Sequence, residues 1–215
     1  MHIDILIEDQ SGKAVLDELV PRIIPEDSSC KIIAYKGIGH LRRDLSTSLD
    51  VSKRVLLDRL PSLLEGYGQA QAGYPDDYPA SVVIVCDLDA RDKVDFLAEL
   101  TAVLDNCIHR PNAFFCLSVE EGEAWLLGDK QAVKTAYPDA NDSRLNAYEY
   151  DSICGTWECL ADIVLPNGKA ELKNGHLAGA KKREWADKIS PNINIEENMS
   201  PSFQFFRDTL RQICK

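Results

Sequence analysis

The run Ser81-Val-Val-Ile-Val-Cys-Asp-Leu-Asp-Ala-Arg-Asp92 constrains the fold more than any other stretch of the chain. Val82 to Cys86 is short, apolar and rich in β-branched side chains, so it reads as a strand buried on both faces. The run ends in Asp87 and Asp89, and extended geometry carried through Leu88 points both carboxylates to one side of the sheet. Asp89 to Asp92 then leads into an amphipathic helix carrying Val94, Leu97, Leu100, Val103 and Leu104. Open α/β sheets bind ligands beyond the carboxyl ends of their strands. A divalent cation suits two acids there, because oxygen coordination offsets carboxylate repulsion. Helix capping by Asp89 or Asp92 is the plainer reading, but it gives no reason for Asp87.

Other units repeat the pattern. His2 to Ile7 alternates as a strand, with Ile3, Ile5 and Ile7 on one face, and runs into Glu8-Asp9-Gln10-Ser11-Gly12. A helix using Val15, Leu16, Leu19 and Val20 follows. Glu8 thus stands at a strand end as Asp87 does, while Asp9 or Ser11 suits a helix cap and Gly12 a turn. Cys30 to Tyr35 reads as a second strand, followed by the loop Lys36-Gly-Ile-Gly-His40. Lys36 is a cation placed to meet a phosphate there, but the third glycine of a dinucleotide fingerprint is missing. A helix is expected from about Val51 to Glu65, with Val55, Leu56, Leu60 and Leu63 inward, then a surface loop from Gly66 to Pro79. Ala113 to Leu117 forms another strand, and a helix is expected to start at its end. That helix carries Glu120, Glu121 and Glu123 in its first turn, which suits the helix dipole even without a site. On it Glu120 and Glu123 share a face and Glu121 points elsewhere. Lys130 to Tyr137 is a further short helix, ended by Pro138.

The alternation of strand and helix predicts an α/β fold with a mainly parallel sheet and helices on both faces over residues 1–140. Residues 141–215 read as a mostly helical extension packed on that core. It includes a helix over Trp157 to Val164 and the basic run Lys181-Lys182-Arg183 in a segment from Asn174 to Trp185. Such a run is either a solvated face or a contact for a phosphate backbone. Ser200 with Pro201 opens a closing helix whose Phe203, Phe206 and Leu210 dock on the core.

With 45% hydrophobic and 27% charged residues, the chain is globular in composition. No apolar run reaches the ~18 residues of a membrane span, and the amino terminus lacks a signal peptide's basic region. Seven cysteines without a Cys-x-x-Cys pair suit a reducing compartment, so the cytoplasm is expected. Cys154, Cys159 and His176 match no common zinc spacing. A net charge of −11 argues against a free-standing, tight, non-specific nucleic-acid binder. A partner or bound metal ions would have to supply positive charge.

Glu8, Asp87 with Asp89, and Glu120, Glu121 or Glu123 follow three strands in an order that resembles the Toprim (topoisomerase–primase) domain over roughly residues 1–135. The usual Toprim glycine just after the glutamate is absent, Gly12 coming four residues later. Nearly the whole chain is also similar to DUF4276, a family of small Toprim-related bacterial proteins of unknown function. The stretches His2-Ile-Asp-Ile-Leu-Ile-Glu8, Glu121-Gly-Glu-Ala-Trp-Leu-Leu-Gly-Asp129, Ala136-Tyr-Pro138 and Ser200-Pro-Ser-Phe203 carry that likeness. The resemblance implies a nuclease dependent on Mg²⁺ or Mn²⁺. Glu8 would act as general acid/base or organise the metal, Asp87 and Asp89 would bind it, and Glu121 or Glu123 would complete a second site. Lys181 or Lys182 would neutralise the departing oxygen, with Lys36, Arg91 and Arg183 on the DNA or RNA substrate. The likeness further implies a partner ATPase and a role in antiphage defence; a homo-oligomer is compatible with it. A response-regulator receiver and a haloacid-dehalogenase phosphatase use similar acids at different places. A non-catalytic subunit that docks on the ATPase is the rival of another class.

Overall fold

Each apolar run read as a strand forms one, and helices follow the first and third of them closely. The computed structural model describes residues 1–36, 55–172 and 175–215. In chain order the first half contains β1 (His2–Ile7), α1 (Gln10–Ile23), β2 (Ser29–Ala34), α2 (Leu56–Ala72), β3 (Ala80–Asp87), α3 (Lys93–Asp105) and β4 (Ala113–Ser118). Among the described residues these strands form one sheet in the order β2-β1-β3-β4, every pair parallel. Ile7 lies opposite Val85 and Asp87 opposite Ser118, so β1, β3 and β4 finish along one edge.

Strand alternation sorts the apolar side chains into two cores. Ile3, Ile5, Ile7, Val83, Val85 and Cys116 face one; Leu6, Val82, Ile84, Cys86 and Leu117 face the other. Helices α2 and α3 cover the second face through Leu60, Leu64, Phe96 and Leu100. The first face is covered by α1 and by the rest of the chain: α4 (Glu123–Leu127), α5 (Lys130–Ala136), α6 (Asp142–Ala147), α7 (Thr156–Val164), α8 (Gly175–Ile189) and α9 (Pro201–Ile213). The fold is therefore α/β, with a four-stranded parallel sheet between helices. No helix among the described residues is long and apolar enough to cross a membrane.

Helix α9 is seated as its sequence predicts. Ser200 caps it by accepting from Phe203 N at 3.2 Å, and Phe203, Phe206 and Leu210 are buried. Trp125 of α4 stacks on Phe206 with ring centroids 4.9 Å apart. Three expectations fail for tertiary reasons. Gly66 and Gly68 do not open a loop; α2 continues to Ala72, and a Cβ at Gly68 would stand 1.6 Å from the His109 carbonyl oxygen. Gly68 therefore serves a close approach, not a turn. In α3 it is Phe96 that is buried, while Val94 faces solvent. The helix expected from Ser118 starts only at Glu123. The Gly37–His40 loop, the helix start at Val51 and the His176 side chain lie outside the described residues.

A buried polar network locks α4 to α9. Asn198 donates from Nδ2 to the Trp125 carbonyl at 2.8 Å, and Trp125 Nε1 donates to Ser202 Oγ at 2.9 Å. Asp151 accepts from Ser200 Oγ at 2.6 Å and from Ser202 N at 2.7 Å. A Cβ at Gly128 would stand 2.1 Å from Asn198 Oδ1. Gly128→Ala is expected to destabilise the fold by about 1–3 kcal/mol. The check is a lower urea midpoint at unchanged m; an unmoved midpoint would contradict the close packing described.

Candidate functional site

Parallel register brings acids from separate strands together. Glu8 follows β1 directly and Asp87 closes β3, and their carboxyls are near enough to act on each other's ionisation. Two acids so placed cannot both ionise freely, which favours a proton on one of them. Ser118, opposite Asp87 on β4, donates its hydroxyl to Asp87 Oδ1 at 2.5 Å. Glu8 is only 9% exposed, and its Oε2 is buried with no partner. Both carboxyls line a pocket of about 490 Å³, mouth included, with Ser118, Glu123 and Lys182 among its walls.

Lys182 reaches this pocket from α8. Its Nζ stands 3.3 Å from Glu121 Oε2 and 3.3 Å from Glu123 Oε2, and the side chain is 19% exposed. The ammonium also lies 6.0 Å from the centroid of the Trp157 ring. Burial works against its charge, but Glu123, Glu121 and Asp87 outweigh burial and hold its pKa above the usual lysine value.

The acids answer in the opposite sense. Burial pushes the Glu8 carboxyl up, with Asp9 and Asp89 adding to it and Asp87 and Lys182 opposing. Burial and then Glu8 lift Asp87 well above the ordinary aspartate range. Burial raises Glu123 against the pull of Lys182. Glu121 is pushed up to about 6, again chiefly by burial.

Several expected members stand elsewhere. Asp89 has φ 51°, which ends the strand alternation; its side chain is 49% exposed and pairs with Arg91 at 3.0 Å. It is turned to Arg91 and solvent, though its charge still acts on Glu8. Arg91 is held by that pair and lies over the Phe96 ring, 4.7 Å from its centroid. Lys181 pairs with Glu184 at 2.6 Å, and Arg183 with Asp187 at 3.0 Å and the Gln10 carbonyl at 3.2 Å. Lys36 is exposed at the end of a described stretch. Asp9 is the cap of α1, accepting from Gly12 N at 2.7 Å, and Asp92 caps α3. Gly12 lies inside α1, where a Cβ would meet Ile7 Cδ1 at 2.5 Å; space, not turn freedom, requires it. The expected pairing of Glu120 with Glu123 is reversed. Glu121 and Glu123 meet at Lys182, while Glu120 turns to the start of α7. Ser118 was missed, because its place opposite Asp87 depends on a register that no local pattern states.

The DUF4276 family model, described as a domain of unknown function, matches residues 7–211. The chain belongs to the DUF4276 family. No curated protein and no solved structure matches it. In this DUF4276 protein the matched span takes in Glu8, Asp87, Glu121, Glu123 and Lys182 alike. Among the described residues, no three His, Cys, Asp or Glu side chains already stand as a metal cage. The donor chemistry nevertheless fits Mg²⁺ or Mn²⁺. These ions take oxygen ligands and commonly keep several waters beside one or two carboxylates. A carboxyl pair that favours holding a proton, with one buried oxygen unpartnered, is an arrangement that a cation relieves.

Asp87→Asn isolates that cost in metal-free protein. Below the unfolded aspartate pKa of about 3.9 both states are protonated and Asp87 costs nothing. As the pH rises past it, the unfolded chain releases a proton that the folded site retains, so stability falls with pH until the raised pKa is passed. The variant, whose Asn oxygen still accepts from Ser118, is expected to melt above wild type at pH 7–8 in EDTA. The gap should close toward pH 4. A gap independent of pH would contradict the raised pKa.

Proposed function

We propose that this DUF4276 protein is a Mg²⁺- or Mn²⁺-dependent phosphodiesterase of the nuclease type, acting in the cytoplasm on DNA or RNA. The observation that carries the reading is the Glu8–Asp87 carboxyl pair at adjacent strand ends, with Glu8 Oε2 unpartnered in a pocket that Lys182 enters. Glu8, Asp87 and Glu123 are the residues that would hold the cation. When bound, it supplies charge that polarises the phosphodiester and lowers the pKa of an attacking water. Glu8 Oε2 is the proton acceptor for that water, suited to the role by a pKa that burial raises above the usual glutamate value. The Lys182 ammonium offsets charge on the departing oxygen. Glu121 and Glu123 keep that ammonium at the pocket. Asp89, Lys181 and Arg183 have no part in this scheme.

The likeness to Toprim domains supports the same chemistry through Glu8, Asp87 and the downstream glutamates. The resemblance to the DUF4276 family is what supports an ATPase partner and a defence role. A partner accounts for how a chain of net charge −11 engages a polyanion.

One observation favours a second reading, a non-catalytic subunit that docks on the ATPase. Lys182 is already paired with Glu121 and Glu123, while Lys181, Arg183 and Arg91 are each committed to an acid.

Melting with and without millimolar Mn²⁺ separates the two readings. Metal at a hundredfold excess over its dissociation constant should add about 2.7 kcal/mol, roughly 5–10 °C for a chain this size. Asp87→Asn should abolish the response and Asp89→Asn should keep it. A wild type that neither responds nor cuts nucleic acid beside its ATPase would remove the catalytic reading and leave the docking subunit.

A further inference from the structure

The loop 119–122 is the least expected feature of the site. Its sequence reads as the first turn of a helix, yet Glu120 has φ 60°, a region that side chains with a Cβ disfavour. Glu121 N donates to the Val119 carbonyl at 2.9 Å, closing a tight three-residue turn centred on Glu120. With positive φ at its centre, that turn is of the rarer, strained kind. Something must hold it.

The Glu120 side chain supplies the hold. Its carboxylate accepts from Cys154 N at 3.0 Å, Gly155 N at 2.9 Å and Thr156 N at 2.9 Å, and also from the Thr156 hydroxyl. Gly155, with φ 73°, stands at the turn where these consecutive N–H groups converge on one carboxylate. An anion at the start of α7 also meets the positive end of the helix dipole. On the backbone side, Asp89 N donates to the Glu120 carbonyl at 2.9 Å. Glu120 thereby ties the β3–α3 turn, the β4–α4 loop and the start of α7 together. The next acid follows from this anchoring: Glu121 Oε2 accepts from Trp157 N at 3.3 Å and meets Lys182, and Glu123 meets Lys182 from the first turn of α4.

We infer that Glu120 is a positioning residue: docked on the start of α7, it holds the 119–122 turn so that Glu121 and Glu123 meet Lys182, with Glu123 facing the Glu8–Asp87 pocket. It touches neither the pocket nor a bound ion. The inference deepens the proposed function, and its effect on cation binding rests on that reading. Glu120→Gln retains the size but removes the charge and turns an amide N–H toward the α7 donors. By comparison with residues that orient metal ligands, Mn²⁺ should bind about 10- to 100-fold more weakly.

The test measures Mn²⁺ binding by calorimetry in wild type, Glu120→Gln and Asn141→Ala, each below its own melting temperature. Asn141 caps α6, accepting from Arg144 N at 3.1 Å, so its loss controls for a plain fall in stability. Weaker binding in Glu120→Gln with Asn141→Ala at the wild-type level is the expected result. Equal affinity in all three overturns the inference. If Glu120→Gln fails to fold, Thr156→Val removes only the hydroxyl donor, and a several-fold loss of affinity is expected. Should wild type bind no Mn²⁺, the metal reading fails, and the NMR signal of the Lys182 ammonium decides the positioning role alone. Clamped between Glu121 and Glu123 it exchanges slowly; loss of that signal in the variant supports the role, and its survival overturns it.

Discussion

Burying two carboxyls against each other at the ends of neighbouring parallel strands is the constraint around which this molecule is arranged. Burial disfavours each charge, and proximity disfavours both together. A sheet with β1 beside β3 in this register leaves the chain no means of separating Glu8 from Asp87, because Ile7 and Val85 are already opposite one another. The surrounding groups answer that cost. Ser118 donates to Asp87, and Lys182 brings one half-buried positive charge from α8, while the nearby Asp9 adds to the cost. The carboxyl-terminal half of the chain does more than cover an apolar face. It contributes the ammonium without which the buried Glu123 would have no charge partner, an arrangement far costlier than a satisfied pair.

Much of this was legible in the sequence, and the boundary of legibility is physical. Strands β1, β2, β3 and β4 announce themselves by local composition, so Glu8 and Asp87 follow as strand-end acids. Asp89 and Glu120 defeat the same logic. Each adopts positive φ, and nothing in Asp-Leu-Asp or Val-Glu-Glu distinguishes a residue held there by distant hydrogen bonds from one that continues a strand or opens a helix. Gly68 and Gly12 are misread for the converse reason. A glycine's local meaning is a turn, while its use here is the space needed by His109 and Ile7. In Lys181-Lys182-Arg183, successive side chains leave the helix about 100° apart. Only one of the three can enter the pocket, and which one depends on how α8 is docked.

The site that results has two states in its chemistry. Without a cation, burial and mutual repulsion favour a proton on the Glu8–Asp87 pair, and the Lys182 ammonium pairs with Glu121 and Glu123. With one bound, as proposed, that proton would have to leave, because a ligating carboxylate must be ionised. The same groups that make the empty pocket costly thus make it receptive. This coupling is what the proposed nuclease reading rests on physically, and it would distinguish a cation-binding site from an acidic cluster paired only with lysine.

The most direct measurement is a count of protons released when Mn²⁺ binds at pH 7, obtained by calorimetry in buffers of differing ionisation enthalpy. The account predicts release of roughly one proton per chain, lost in Asp87→Asn. Binding with no proton released, or release that persists in the variant, would contradict a carboxyl pair that exchanges a proton for a metal ion.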